Sequence, residues 1–271
     1  MYSVYYPCHS YDQTLDVLST TKTNSSKTSS LPLADFWHPD RNKTSKKALF
    51  SKLEINQDPQ LADYCFEYPT PAYNSKNGRA LPYSKPSMTD LMVIFGDDTR
   101  ITIEAKYTEY VKEAEYSPLL KDWYEKDYPD GAPHRKPIIQ CWIDYIHGKN
   151  RYKADELLKD CPRLPYQFLH RAASACYGCK HPILVYQLFY DKDVASIDKM
   201  KEFEKLLQKC TQQLKLEPKR LPFYIIENEV ISCPQDRKGD VSDIFNEMKQ
   251  EAQYQFGNSM VVINGYTQEK I

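Results

Sequence analysis

The chain is poor in the features that sort proteins quickly. Only 8 of its 271 residues are glycine, and its charges nearly cancel: 36 Lys and Arg against 37 Asp and Glu, a formal net charge of −1. So small a global charge does not announce a nucleic-acid partner, which would need a local basic patch. No apolar run reaches the length of a membrane span, and the opening MYSVYYPCHSYDQTL lacks the basic-then-apolar layout of a secretion signal. A cytoplasmic location and no membrane partner are therefore expected. Eight cysteines are scattered along the chain, which fits buried free thiols better than disulfides. The one CxxC, Cys176–Cys179, has Cys161 upstream and His181 after it, but it lacks the second pair that zinc spacing asks for.

Hydrophobic residues make up 41% and charged residues 27%, the balance of a globular chain. STTKTNSSKTSS, residues 19–30, carries no apolar periodicity and reads as a loop. The expected division is an extension over 1–42 containing that Ser/Thr/Lys-rich loop, then a single domain over 43–271. KTSKKALFSKLEINQ predicts a helix capped by Thr44 or Ser45, with Leu49, Phe50 and Leu53 buried. DYCFEY (63–68) predicts a strand, and Asp90–Phe95 and Arg100–Lys106 a hairpin turning at GDDT. KPIIQCWIDYIHGK predicts a helix with Ile138, Ile139, Trp142 and Ile146 inward and Gln140, Asp144 and His147 opposite. PYQFLHRAASAC predicts another, burying Phe168, Leu169, Ala172 and Cys176 with Gln167, Arg171 and Ser174 on the other face. HPILVYQLFY is apolar enough for a strand buried on both faces. A helix capped by Ser196, a strand over 221–230, a helix over 240–256 and a last strand NSMVVINGY complete the order. That order predicts an α/β sandwich with a central mixed sheet flanked by helices.

The chemistry concentrates in the hairpin. Alternation along ITIEAK puts Ile101, Ile103 and Ala105 on one face and Thr102, Glu104 and Lys106 on the other. A short turn brings Asp90 opposite Ala105 or Glu104. Two close carboxylates repel unless a positive charge lies between them, and Mg²⁺ accepts one or two carboxylates together with waters and phosphate oxygens. With Lys106 alongside, this is equipment for metal-assisted phosphodiester hydrolysis. The bland alternative is a Glu–Lys salt bridge on an exposed hairpin. Acid–x–Lys recurs at Glu217–Lys219, Asp236–Lys238 and Glu247–Lys249, so the strand context distinguishes Glu104–Lys106, while the tripeptide does not.

PSMTD followed after a turn by IEAK resembles the Pro-Asp…(Asp/Glu)-x-Lys, or PD-(D/E)xK, nuclease superfamily with its restriction-endonuclease-like fold. That match, in motif and surrounding strands, covers roughly residues 45–190, and the wider run FEYPTPA…KPSMTDLMVIF…IEAKYTE…HRAASA is similar to a group of uncharacterised bacterial proteins of that type. One departure is that Thr89, not proline, precedes Asp90. The resemblance implies a nuclease in which Asp90 and Glu104, with the backbone carbonyl of Ala105, hold Mg²⁺ or Mn²⁺ and Lys106 assists water attack. It also implies a further acid, for which Glu54 or Glu67 are the candidates, and a glutamine near the metal or phosphate, Gln140. Lys46, Lys47, Lys85 and Arg171 are the candidate nucleic-acid contacts, with DNA the expected substrate. A homodimer is expected if both strands are cut, since symmetric dimers are the commonest oligomers. The alternative is an inactive protein of the same fold that binds nucleic acid or a protein partner.

Overall fold

The computed structural model describes residues 10–19, 28–38, 41–73, 78–81, 84–96, 98–116, 118–128, 133–233, 254–263 and 267–270, together with Cys8, Phe245, Met248 and Lys249. Three helices come first: α1 (Tyr11–Ser19), α2 (Ser30–Phe36) and α3 (Lys43–Lys52). Then follow β1 (Asp63–Thr70), β2 (Ser87–Phe95), β3 (Thr99–Lys106), α4 (Leu120–Glu125), α5 (Arg135–His147), α6 (Ala154–Asp160), α7 (Tyr166–Cys176), β4 (His181–Asp191), α8 (Val194–Gln213), β5 (Phe223–Ser232), β6 (Gln255–Ile263) and β7 (Thr267–Lys270). The strands form one sheet in chain order, β1 to β7. The β3–β4 and β4–β5 pairs are parallel and the other pairs antiparallel, so the sheet is mixed. Each parallel pair needs a long crossover, and these supply α4 to α7 and then α8.

Helices cover both faces of the sheet. On one, Leu15, Leu31, Phe36 and Phe50 from α1 to α3 pack on Leu91, Ile101, Ile103 and Val185. On the other, Ile139 and Trp142 of α5, Phe168 of α7 and Phe203 of α8 pack on Leu184, Tyr186 and Ile225. The α/β sandwich expected from the element order is thus what forms, with β4 buried on both faces as its apolar run predicts. The 1–42 extension contributes α1 and α2 to the same core as the hairpin. Among the described residues, no helix is long and apolar enough to cross a membrane.

Local details differ from expectation. The N-cap of α3 is Asn42, in the left-handed region at φ 51°, and α8 starts from Asp193, whose carboxylate accepts from Ser196 N–H. Both helices therefore begin two or three residues before the caps expected at Thr44 or Ser45 and at Ser196. The expected helix over 240–256 lies mostly outside the described residues, as do residues 20–27 of the Ser/Thr/Lys tract. Phe245, Met248 and Lys249 are helical, whereas the strand has begun by Gln255. All eight cysteines are free thiols.

A buried polar chain crosses the sheet. Trp37 Nε1 donates to Gln187 Oε1 at 2.9 Å, Gln187 Nε2 to Asn228 Oδ1 at 2.8 Å, and Asn228 Nδ2 to Ser259 Oγ. Trp37→Phe keeps the ring's packing and strips the Gln187 carbonyl oxygen of its donor. The expected cost is about 1–3 kcal/mol, the penalty of one buried polar atom left unpaired, read as a lower urea midpoint with an unchanged slope.

Candidate functional site

The site forms where one ladder stops and its neighbour is interrupted. β2 and β3 pair from Phe95↔Thr99 down to Leu91↔Ile103 and no further, while β3 continues against β4 through Lys106↔Leu188. The register puts Asp90 opposite Glu104. Past Ile103 the strands part, and the Asp90 side chain fills in: its Oδ2 accepts from Ala105 N–H at 2.8 Å. On β1, the pairing with β2 skips Glu67, whose φ of 50° turns it out of extended geometry. Bulky residues rarely adopt that conformation, and such strain gathers at functional sites.

Alternation along β3 then sorts the side chains as expected. Ile101, Ile103 and Ala105 join the core under α1 to α3. Glu104 points the other way, toward α7, and is 1% exposed. There its Oε1 accepts from Lys106 Nζ at 2.8 Å and Gln167 Nε2 at 2.6 Å, and its Oε2 accepts from Arg171 Nε. Tyr116 donates its hydroxyl to Gln167 Oε1, which fixes the orientation of that amide. Arg171 is 6% exposed, and its Nη1 donates to Ser87 Oγ at 2.8 Å. Ser87 Oγ is also 2.8 Å from His170 Nδ1 and accepts from Ser174 Oγ at 3.0 Å. Burial, aided by the Arg171 charge, pushes His170 well below its ordinary value, so its ring is neutral and Nδ1 accepts.

The charges order themselves around Glu104. Burial alone would raise its pKa, but Arg171 and Lys106 outweigh that and hold it below the usual carboxylate range. Asp90 goes the other way: burial first, then the Glu104 charge, raise it despite Lys106 and Arg171. Glu67 is raised mainly by burial, and it feels Arg171 and Glu104 as well. Burial would lower Lys106, yet Glu104 and Asp90 raise it, so the amine is an ammonium ion. The site is a carboxylate held ionised by two cations, beside a carboxyl group that retains its proton more readily than usual.

Of the expected site residues, Asp90, Glu104, Ala105 and Lys106 come together, with Glu67 close enough to share their field. Glu54 does not join them: it is exposed just beyond α3, on the opposite face, where Tyr224 feels its charge. Gln140 is committed elsewhere, donating to Asp144 Oδ1 and Tyr152 O and accepting from Ala154 N–H, so it braces the α5–α6 connection. The glutamine on the carboxylate is Gln167, which the helical pattern had placed on an outward face. Arg171 is likewise buried against Glu104 and is no exposed phosphate contact. Lys46 is buried and donates to His38 O, which removes it as a nucleic-acid contact. Lys47 is exposed on α3, across the sheet from Glu104, while Lys85 is exposed just before β2. Tyr107 and Tyr110 donate their hydroxyls to Asp191 and to Phe189 O, so both serve packing. Glu109 accepts from Ser29 and from Tyr107 N–H, which ties the start of α2 to the end of β3.

Do these residues suit a divalent metal? The donors at the strand opening are hard oxygens, as Mg²⁺ requires. Asp90 Oδ1 makes no hydrogen bond among the described residues. In an extended strand the N–H and C=O of one residue share an edge, so the Ala105 carbonyl faces the same opening as its N–H. Glu104 already receives three donors, of about four that a carboxylate can accept. Among the described residues, no group of three or more His, Cys, Asp or Glu is arranged around a point that could hold an ion. Two carboxylates and a carbonyl therefore fit an ion that keeps several waters, as Mg²⁺ does, and do not fit an all-protein cage.

No curated protein and no solved structure matches the chain. Its residues 7–228, which include every residue of the cluster, match the family described as a domain of unknown function, DUF6946, and the chain belongs to that family.

Proposed function

We propose that the protein is a metal-dependent nuclease that hydrolyses phosphodiester bonds at the opening between β2 and β3. The observation that carries this reading is the open Oδ1 of Asp90 beside the Glu104–Lys106 pair, at the point where the strands part. Asp90, Glu104 and the Ala105 carbonyl would hold Mg²⁺ or Mn²⁺, which when bound neutralises phosphate charge and makes water a better nucleophile. The water oxygen attacks phosphorus and gives up a proton to solvent, and the bond to the leaving strand's oxygen breaks as that oxygen takes up a proton from solvent. Lys106, as an ammonium ion, cannot take the water's proton; it stabilises the charge that builds on the phosphoryl oxygens. Gln167 and Arg171 keep Glu104 ionised and fixed in place. DNA is the substrate we favour, on the sequence resemblance.

A second reading has its own support. Glu104 is satisfied by Lys106, Gln167 and Arg171 without any ion, as in a cluster retained for structure alone. One assay separates the two: plasmid, linear duplex, single-stranded DNA and RNA are each incubated with Mg²⁺, Mn²⁺ or EDTA. Cleavage with metal and none with EDTA is expected. No cleavage of any substrate, with no metal uptake by calorimetry, leaves the structural reading.

Metal binding should depend on pH. Asp90 must give up its proton to ligate, and its raised pKa makes it hold that proton into a higher pH range. Affinity for Mn²⁺ is therefore expected to rise with pH, by up to about tenfold per unit below that pKa, with proton release visible as buffer-dependent heats. Asp90→Asn should flatten the profile. An affinity independent of pH from about 5 to about 9 would rule out Asp90 as a ligand.

A further inference from the structure

Arg171 has a second side. While its Nε holds Glu104, the residue also forms part of the wall of a cavity of about 380 Å³ between the lead-in to β2 and the starts of α5 and α7. That is the lower end of the size of small-ligand sites, enough for one nucleotide-sized group. One wall is aromatic. Trp123 stacks on Tyr166 with centroids 3.9 Å apart and 10° between planes, and Trp142 Nε1 donates to the Tyr166 hydroxyl at 3.0 Å. The remainder is basic or neutral, with Lys85, Arg135 and Arg171 joined by His134, and no Asp or Glu among the described residues that line it. In a chain whose acids outnumber its Lys and Arg, that segregation of charge is local.

The first turn of α5 adds to it. His134 caps this 13-residue helix without a side-chain hydrogen bond to its N–H groups, and His134, Arg135 and Ile138 all line the cavity. Uncapped first-turn amides carry the positive end of the helix dipole and suit a phosphate. Arg135 is held there by the carbonyls of Trp123 and Lys126 and lies over the Trp123 ring, its guanidinium carbon 5.5 Å from the centroid.

We propose that this cavity takes a single unstacked nucleotide of the substrate strand, its base against the Trp123–Tyr166–Trp142 wall and its phosphate on Lys85 and the start of α5. Rings beside cations, with no acid among the described lining residues and Asp127 3.8 Å from Arg135 outside them, match a nucleotide's own halves: a flat aromatic base and an anion. A base inside a regular duplex is stacked and paired and cannot enter, so the preferred substrate has a single-stranded or flipped-out nucleotide next to the bond that is cut. This rests on the nuclease reading above, because Arg171 is what joins the cavity to Glu104.

The test is done first in EDTA, so that binding is read without cleavage. Tryptophan quenching and anisotropy are followed with a labelled single-stranded DNA oligomer, a blunt duplex of the same sequence, free dAMP and inorganic phosphate. The single strand is expected to quench and to bind at least about tenfold tighter than the duplex, and exposed Lys85→Glu to weaken it by about tenfold or more. Lys47→Glu, across the sheet, should change nothing. Equal binding of duplex and single strand, or indifference to Lys85→Glu, overturns the proposal. So does binding of dAMP alone, which would make this a free-nucleotide site. Cleavage with Mn²⁺ is then scored separately. Strand-selective binding without cleavage defeats the nuclease reading and leaves the cavity, whereas cleavage without strand selectivity defeats only the cavity.

Discussion

Arg171→Ala is expected to destabilise the fold by about 3–5 kcal/mol, the usual result of removing one member of a buried ion pair. Glu104 stays behind at 1% exposure, and it loses the guanidinium that donates to its Oε2. Ser87 loses a donor in the same step. Lys106 and Gln167 still reach Oε1, which places the effect nearer the lower end of that range. Urea denaturation reads it directly, as a lower midpoint with the same slope. The sign of the pH dependence follows from Glu104. Its lowered pKa contributes stability above the ordinary carboxylate value, and that contribution is lost as pH falls through the lowered one. In Arg171→Ala the loss should begin at higher pH. A paired change, Arg171→Met with Glu104→Leu, removes both charges and should recover most of the midpoint. If the single variant unfolds where wild type does, the ion pair is not buried as described.

Asp90→Asn should do the reverse, sparing the fold and removing the activity. Asparagine offers the same carbonyl oxygen to Ala105 N–H, so the bridge across the parted strands survives. It cannot ionise, which removes both the burial cost and the repulsion with Glu104 that raise Asp90. The urea midpoint is expected to hold or to rise, most visibly at high pH, where the wild-type carboxyl is forced to ionise. Metal-dependent cleavage should fall by about 10²–10³ or more, the scale of losing one preorganised charge-stabilising group. Lys106→Met should fall similarly at unchanged metal affinity, because in the proposed mechanism the amine, 14% exposed, acts on the phosphate and not as a ligand. Stability gained where activity is lost is the signature of a site kept for chemistry. Unchanged cleavage in Asp90→Asn would discard the site.

Much of this geometry was legible in the residues. The alternation of ITIEAK sends Glu104 and Lys106 away from Ile101, Ile103 and Ala105, and the short turn at GDDT returns the chain so that Asp90 meets Glu104. Those are consequences of a period of two and a short connection, and both are local. The partners of Glu104 were not legible. Periodicity showed that Gln167, Arg171 and Ser174 share a face of α7, but it does not say what that face meets. A polar stripe commonly meets water; here it meets a buried carboxylate, and Phe168 and Leu169 meet the aromatic core behind it. Glu54 and Gln140 failed for the same reason, since the ends of α3 and the middle of α5 are placed by packing of the whole sandwich. Gln140 and Gln167 offer identical chemistry, and only the docking of α7 on β3 decides between them.

The turn at Glu67 bears on how copies of this chain meet. Among the described residues β1 is an edge strand, and a regular edge is a template on which another chain can add a strand. This one is interrupted three times. The segment at Cys8 already bonds the Tyr64 carbonyl, at 2.8 Å, Glu67 leaves extended geometry, and Pro69 has no N–H to offer. The conformation that breaks the β1–β2 ladder beside the carboxylates thus also guards this edge of the sheet against edge-on growth. Two copies brought together to cut paired strands would have to meet elsewhere than along β1.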